Sequence, residues 1–287
     1  MATVTFRTRS RRILRAIWSA VTHFNDDDGW AIASHIALSG IMALFPFLIF
    51  CTSLAAFVNL GDFPNEAVQL VYDTMPDNIA QPLADQISEV LTIPRGDVLT
   101  FGAATALFFA SNGVEALRLG LNRAYRIQET RNFLLMPIQS LVFVVIAAIA
   151  IATVTLPLVL MPLGLDIAKR HLPWLHGYVS TIDFWRLVVS ASILTVALVA
   201  CHKWLPAGHR TLLAIAPGAV FTLVTWIAAA MAFSAYLRSF ASYVTTYAGM
   251  ASVVVALIFF YLMAAIFLLG AEINAALCIA QKEMKIE

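Results

Sequence analysis

The sequence predicts an all-α polytopic membrane protein, a bundle of six transmembrane helices preceded by an amphipathic helix. Three observations carry that reading. Of 287 residues, 61% are hydrophobic and 12% charged, and the mean hydropathy is positive, which lies outside the range of soluble domains. Apolar runs of about 20 residues, the length that crosses a hydrocarbon core, recur along the chain. Lys and Arg also sort to one side of those runs: 13 of the 18 fall in the N-terminal arm, around 118–131, in the 203–210 turn and in the C-terminal tail, as the positive-inside rule expects of cytoplasmic segments.

The arm, residues 1–29, carries Arg7, Arg9, Arg11, Arg12 and Arg15 with Ile13, Leu14, Ile17, Trp18 and Val21 at helical spacing. That pattern describes a basic amphipathic helix lying on an anionic membrane face. The first apolar run begins too far in, and runs too long, for a cleaved signal, so the N-terminus is expected to stay on the protein. A transmembrane domain over 30–280 follows, with spans at about 31–60, 98–118, 133–163, 184–204, 211–237 and 248–277, and a cytoplasmic tail at 281–287. The second span has the shortest apolar run, and counting it keeps both termini and the basic loops on one side. The 61–97 connection holds Asp62, Glu66, Asp73, Asp77, Asp85, Glu89 and Asp97 against Arg95 alone. It reads as an acidic periplasmic loop with short amphipathic helices. No composition shift marks a second domain, and no internal repeat is evident. Pro46, Pro157, Pro162 and Pro217 each remove a backbone donor within or near a span, and the first three are expected to kink their helices. Cys51, Cys201 and Cys278 lie in or beside apolar runs without CxxC spacing and read as reduced packing residues.

Ionisable groups at the centre of a bilayer cost about 2.5–3.5 kcal/mol each, so those that persist need a partner or a task. Ser111, Glu115, Arg118 and Asn122 share one helical face at the cytoplasmic end of the second span. Glu272 and Asn274 reach a similar depth at the end of the sixth, and His35 near the start of the first. The expectation is a polar cluster of His35, Ser111, Glu115, Arg118, Asn122, Arg123, Glu272 and Asn274, with Glu272 paired to Arg118 or Arg123. It reads either as a lipid head-group site or as an ion pair that sets helix register. At the far end, Ser242, Tyr243, Thr246, Tyr247 and Gly249 within SFASYVTTYAGM form either an interfacial turn or the outer lip of a lipid path.

Several runs, taken together, resemble a known family: IALSGIMALFPFLIF, LFFASNGVEALRLGLNRAY, LPAGHRTLLAIAPGAV and SFASYVTTYAGMASVVVALIFFYLMAAIFLLGAEINAAL. In order and spacing they are similar to the YihY/virulence factor BrkB family of bacterial inner-membrane proteins, over residues 30 to 278. The most specific pieces are Leu121-Asn122-Arg123-Ala124-Tyr125, Phe240-Ala241-Ser242-Tyr243 with Thr246-Tyr247-Ala248-Gly249, and Leu269-Gly270-Ala271-Glu272-Ile273-Asn274-Ala275. The chain departs from the pattern at Gly113 and Val114, where relatives often carry a basic residue nearby. The resemblance implies a role in envelope integrity, serum resistance or, in one branch, relief of defects in lipid A precursor export.

The family was once labelled ribonuclease BN, but His23, His35, His171, His176, His202 and His209 are scattered without metal-ligand spacing. Ser-His-Asp, phosphate-loop and nucleotide motifs are absent from the sequence as well. The sequence therefore predicts neither an enzyme nor a nucleic-acid partner, and no metal or cofactor. The expected partners are membrane lipids, with a periplasmic lipid-transfer or envelope protein docking on the 61–97 loop; the oligomeric state is open. The leading expectation is an inner-membrane protein, N and C termini cytoplasmic, that translocates or hands over a phospholipid or lipid A-type precursor. The alternatives are a non-transporting scaffold for an envelope assembly, or a proton-coupled small-molecule carrier using Glu272, Glu115 and His35.

Overall fold

Long apolar stretches with every backbone group bonded internally favour helices, and helices are what the chain forms. In a computed structural model, residues 6–57, 96–155, 177–239 and 250–286 are described, with Gln69 and Leu165. They form seven long helices: α1 (Phe6–Asp26), α2 (Gly29–Phe57), α3 (Gly96–Ala124), α4 (Leu135–Thr155), α5 (Val179–Trp204), α6 (Leu212–Ser239) and α7 (Met250–Ile286). Three segments among the described residues are long and apolar enough to cross a membrane: Val179–Trp204, Leu212–Leu237 and Val253–Gln281. Gly29–Leu44 and Leu135–Ile151 are shorter apolar helical stretches. Pro46 and Pro217 lie inside α2 and α6, whereas Pro157 and Pro162 lie outside the described residues, as does nearly all of the acidic 61–97 connection. The expected tail at 281–287 continues α7 as far as Ile286.

Burial is inverted relative to a soluble domain. Phe133, Leu134, Ile138, Val142, Val145 and Ile149 are exposed along and just before α4, while Arg118, Asn122, His202, Glu272 and Asn274 are buried. Such an arrangement suits hydrocarbon outside and polar contacts inside.

The chain divides into two compact units, residues 1–38 with 113–287, and residues 39–112. The sequence offered no such boundary, because both division points fall inside helices, α2 and α3, and the change from apolar 98–110 to the polar stretch after it reads as the end of a span. In the 39–112 unit Ile41, Ser39 and Ala106 are buried, and Phe101 and Phe108 are exposed. In the larger unit α7 packs against α6 and α1, and α5 packs against α6 and α4.

Apolar area alone does not drive helix association in lipid, so close backbone approach and interhelical hydrogen bonds must. Gly218 on α6 and Gly270 on α7 supply the approach: a Cβ on Gly218 would collide with the Gly270 carbonyl, and one on Gly270 with the Thr222 hydroxyl. Pro217 lacks the N–H that would bond the preceding turn, and the next N–H, of Gly218, donates to Asn274 Oδ1 at 2.6 Å. On the other side of α7, Ala16 and Ala20 of α1 pack with Ile273 and Ala276.

Candidate functional site

The C-terminal end of α3 gathers the polar side chains. Helix α3 stops in a Schellman motif: the Ile127 N–H bonds the Asn122 carbonyl at 2.9 Å and the Arg126 N–H bonds the Arg123 carbonyl at 2.8 Å. The left-handed residue of that motif is usually Gly, but here it is Arg126, with φ 57°. A non-glycine residue in this region is held there by its surroundings. The ion pair that Arg126 makes with Glu272 of α7, Nη2 to Oε2 at 3.5 Å, supplies such a tether.

Arg118 is buried, and its guanidinium donates to Glu115 Oε2 at 2.7 Å, to the Met136 carbonyl at 2.9 Å and to Ser140 Oγ at 2.5 Å. Ser140 in turn donates to Glu115 Oε2 at 3.2 Å. The Glu115 side chain is half-exposed, so water reaches its carboxylate as well. Glu272 therefore pairs with neither of its expected partners. Arg118 turns its terminal nitrogens to the i, i+3 carboxylate of its own helix and to α4, leaving its Nε without a partner, and Arg123 reaches instead to Asp28 Oδ2 at 3.3 Å and the Asp27 carbonyl at 3.2 Å. His35 also leaves the expected cluster, because its side chain lies on an exposed face of α2. Ser111 falls in the other unit, with its hydroxyl buried and without a hydrogen-bond partner.

Asn122 bridges two loops: its Nδ2 donates to Glu129 Oε2 at 2.9 Å and its Oδ1 accepts the Ala207 N–H at 2.8 Å. Burial acts to raise the Glu129 carboxyl, but the Asn122 and Arg131 N–H donors and the charges of Arg131 and Arg118 outweigh it and hold Glu129 below the ordinary carboxylate range.

Two further constellations were not anticipated. Arg131 donates to the carbonyls of Leu205 at 3.0 Å and Pro206 at 2.6 Å, and to Gln139 Oε1 at 2.5 Å, so a cation closes the C-terminal end of α5. Tyr125 lies between His202 and Asn274. Asn274 Nδ2 donates to the Tyr125 hydroxyl at 3.2 Å, and that hydroxyl meets His202 Nδ1 at 3.0 Å. Burial pushes the Tyr125 hydroxyl up to about 12, so at neutral pH it keeps its proton. His202 Nε2, the other ring nitrogen, is buried without a hydrogen-bond partner. Arg210 covers the Tyr125 ring, its guanidinium carbon 4.0 Å from the centroid. The nearest signal in the sequence was Tyr125 standing two residues after Arg123; nothing marked His202 as its partner.

Ser242, Tyr243, Thr246, Tyr247 and Gly249 lie outside the described residues.

The profile of the family described as virulence factor BrkB matches residues 20–285. The chain belongs to that family. It is 31% identical over 254 residues to the ribonuclease-like protein YfkH of Bacillus subtilis (strain 168), covering 87% of this chain and 90% of that one. It is 21% identical over 267 residues to a UPF0761 membrane protein of Psychrobacter sp. (strain PRwf-1), covering 90% of this chain and 47% of the relative, so it spans about half the length of that protein. No solved structure matches. This BrkB-family chain is a membrane protein, and its Asn122, Arg123, Tyr125, Glu272 and Asn274 all fall within the matched residues.

Proposed function

We propose that this is an inner-membrane protein of envelope biogenesis that moves or hands over an amphipathic lipid, a phospholipid or lipid A-type precursor, with N and C termini in the cytoplasm and six spans. One observation carries the reading. Of the four arginines at the end of α3, two are held by short hydrogen bonds and two by longer ion pairs. Arg118 is 2% exposed and bound at both terminal nitrogens by Glu115, Met136 and Ser140, and Arg131 closes α5. The Arg123 and Arg126 side chains are 43% and 30% exposed, with ion-pair distances of 3.3 and 3.5 Å. Those distances are longer than a charge-assisted bond of about 2.8 Å, which leaves donors free for a phosphate.

Their surroundings suit a bilayer surface. Helix α1 turns two apolar stripes in different directions, small Ala16 and Ala20 onto α7 and exposed Ile17, Trp18 and Val21 outward. An outward stripe with Trp beside Arg15 fits an anionic interface. A lipid held there would place its phosphate against Arg123 and Arg126 and its chains along the apolar helix faces.

The second reading is a non-transporting scaffold, with the 61–97 loop as a docking surface for an envelope partner; the short hydrogen bonds that tie Arg118 and Arg131 to neighbouring helices favour it. We do not propose nuclease activity, although one relative is named ribonuclease-like. Among the described residues no three His, Cys, Asp or Glu side chains converge on one point. Native mass spectrometry of the purified protein with phosphatidylglycerol tests the lipid reading. Retained lipid should fall at least ~10-fold in the double variant Arg123→Gln/Arg126→Gln and stay unchanged in Glu129→Gln. Equal retention in all three proteins would leave the scaffold.

A further inference from the structure

Arg123 and Arg126 are each held by a carboxylate, and the two carboxylates differ in what their release would cost. Arg126 faces Glu272, whose side chain is 2% exposed. Withdrawing the cation would leave a buried charge unpaired, which is strongly destabilising. Arg123 faces Asp28, whose side chain is 73% exposed. Water takes over that carboxylate once the arginine leaves, and exposed pairs of this kind contribute little.

Arg123 also joins α3 to the turn between α1 and α2. Its Nη1 donates to the Asp27 carbonyl at 3.2 Å and to Asp28 Oδ2 at 3.3 Å. The turn so held is tight: Asp28 has a left-handed backbone, φ 56°, and a Cβ on Gly29 would stand 2.5 Å from the Phe24 ring. Behind it lies a cleft of about 10 Å³, lined by Phe24, Asp27 and Gly29 and by Arg123, Leu268 and Glu272. Such a space holds one water at most, so a phosphate must meet Arg123 from its exposed side, where Asp28 now stands.

We propose that Asp28 occupies the phosphate site of Arg123 in the resting protein, and that a lipid phosphate displaces it and frees the α1–α2 turn. This rests on the reading of Arg123 and Arg126 as phosphate donors. A phosphate presents several oxygens to the guanidinium fork, whereas Asp28 offers one at 3.3 Å, so the exchange gains short charge-assisted bonds. Asp26, Asp27 and Asp28 follow one another in sequence, and a bound phosphate repels this run of like charge. Arg126 keeps Glu272 through Nη2 and offers its other nitrogens, so α3 stays joined to α7 while the turn is released.

Hydrogen–deuterium exchange of the purified protein in detergent, with and without phosphatidylglycerol, reads the turn, and native mass spectrometry of the same samples reads bound lipid. In wild type, lipid should speed exchange across residues 24–32. Asp28→Asn removes the charge but keeps a residue at home in the left-handed region. It should exchange faster than wild type without lipid and retain about 2- to 5-fold more of it, the amount by which an exposed pair competes. Asp26→Asn removes the same charge from the exposed end of α1 and should match wild type in both readings. Inorganic phosphate in place of lipid identifies the source: faster exchange with phosphate alone supports displacement by a free anion, and faster exchange with lipid alone supports displacement by the head group. Suppose wild type retains lipid and Arg123→Gln/Arg126→Gln loses it. A turn that exchanges no faster with lipid, or Asp28→Asn retaining no more than Asp26→Asn, then overturns the displacement and leaves the lipid site standing. No retained lipid, with no faster exchange in phosphate, overturns both.

Discussion

Substituting Gly218 by Ala sets two effects of known size against each other. Helix propensity alone favours Ala by about 1 kcal/mol at an interior helical position. Against that, the added Cβ would collide with the Gly270 carbonyl and would lie 2.5 Å from Asn274 Nδ2. A backbone carbonyl in a continuous helix has no rotamer by which to retreat, so α6 and α7 must separate. Overpacking of this kind costs about 1–3 kcal/mol, and separation also weakens the 2.6 Å bond from Gly218 N–H to Asn274, worth about 0.5–1.5 kcal/mol. The net expectation is destabilisation by about 1–3 kcal/mol. Thermal unfolding in detergent can be followed by labelling of the free, half-buried Cys201 and Cys278. Gly218→Ala should lower the midpoint by several degrees, and Gly270→Ala by a similar amount. The double variant should fall short of the sum, since both act on one contact. Gly177→Ala, where a Cβ meets nothing within 4 Å, should leave the midpoint unchanged. A Gly218→Ala midpoint at or above wild type would mean that propensity wins and that the two backbones do not touch as described.

Other perturbations read out the polar layer. Tyr125→Phe removes the hydroxyl between Asn274 and His202 and strands two buried polar groups, so it should cost about 1–3 kcal/mol. Arg131→Met should destabilise by about 2 kcal/mol through the lost cap on α5, with Arg131→Lys recovering part, since a point charge replaces the fork but cannot span the same carbonyls. The Glu129 carboxyl, held low in the folded protein, adds stability that is present above its ordinary value of 4.5 and is lost as pH falls through the lower folded value. Glu129→Gln should therefore flatten the acid-side fall of the thermal midpoint, and an unchanged acid limb would show that Glu129 gains nothing on folding.

What was legible beforehand follows from what each signal depends on. Helices and membrane character depend on local composition and length, which is why α5, α6 and α7 stand close to the spans expected at 184–204, 211–237 and 248–277. Helical phase likewise placed Arg118 and Asn122 on a buried face. Phase could not name partners. Arg118 took the carboxylate one turn away, at Glu115, because a neighbour at i, i+3 needs no tertiary arrangement to meet. Glu272 then fell to Arg126, which helical phase could not reach, since it lies past the end of α3 in a left-handed conformation. The cap on α5 and the Tyr125–His202 contact join residues more than 70 positions apart, and their acceptors include backbone carbonyls, which carry no sequence signature. The two-unit division carries no signature for a related reason, as both of its points fall inside continuous helices, with no loop to mark them.

The central claim is that the protein moves amphipathic lipid, and transbilayer movement in proteoliposomes tests it most directly. Labelled phospholipid should equilibrate between leaflets at least ~10-fold faster with purified protein than in protein-free vesicles, and Arg123→Gln/Arg126→Gln should remove most of the gain. Movement no faster than in protein-free vesicles, with and without a pH gradient, would contradict the account and leave a scaffold in its place.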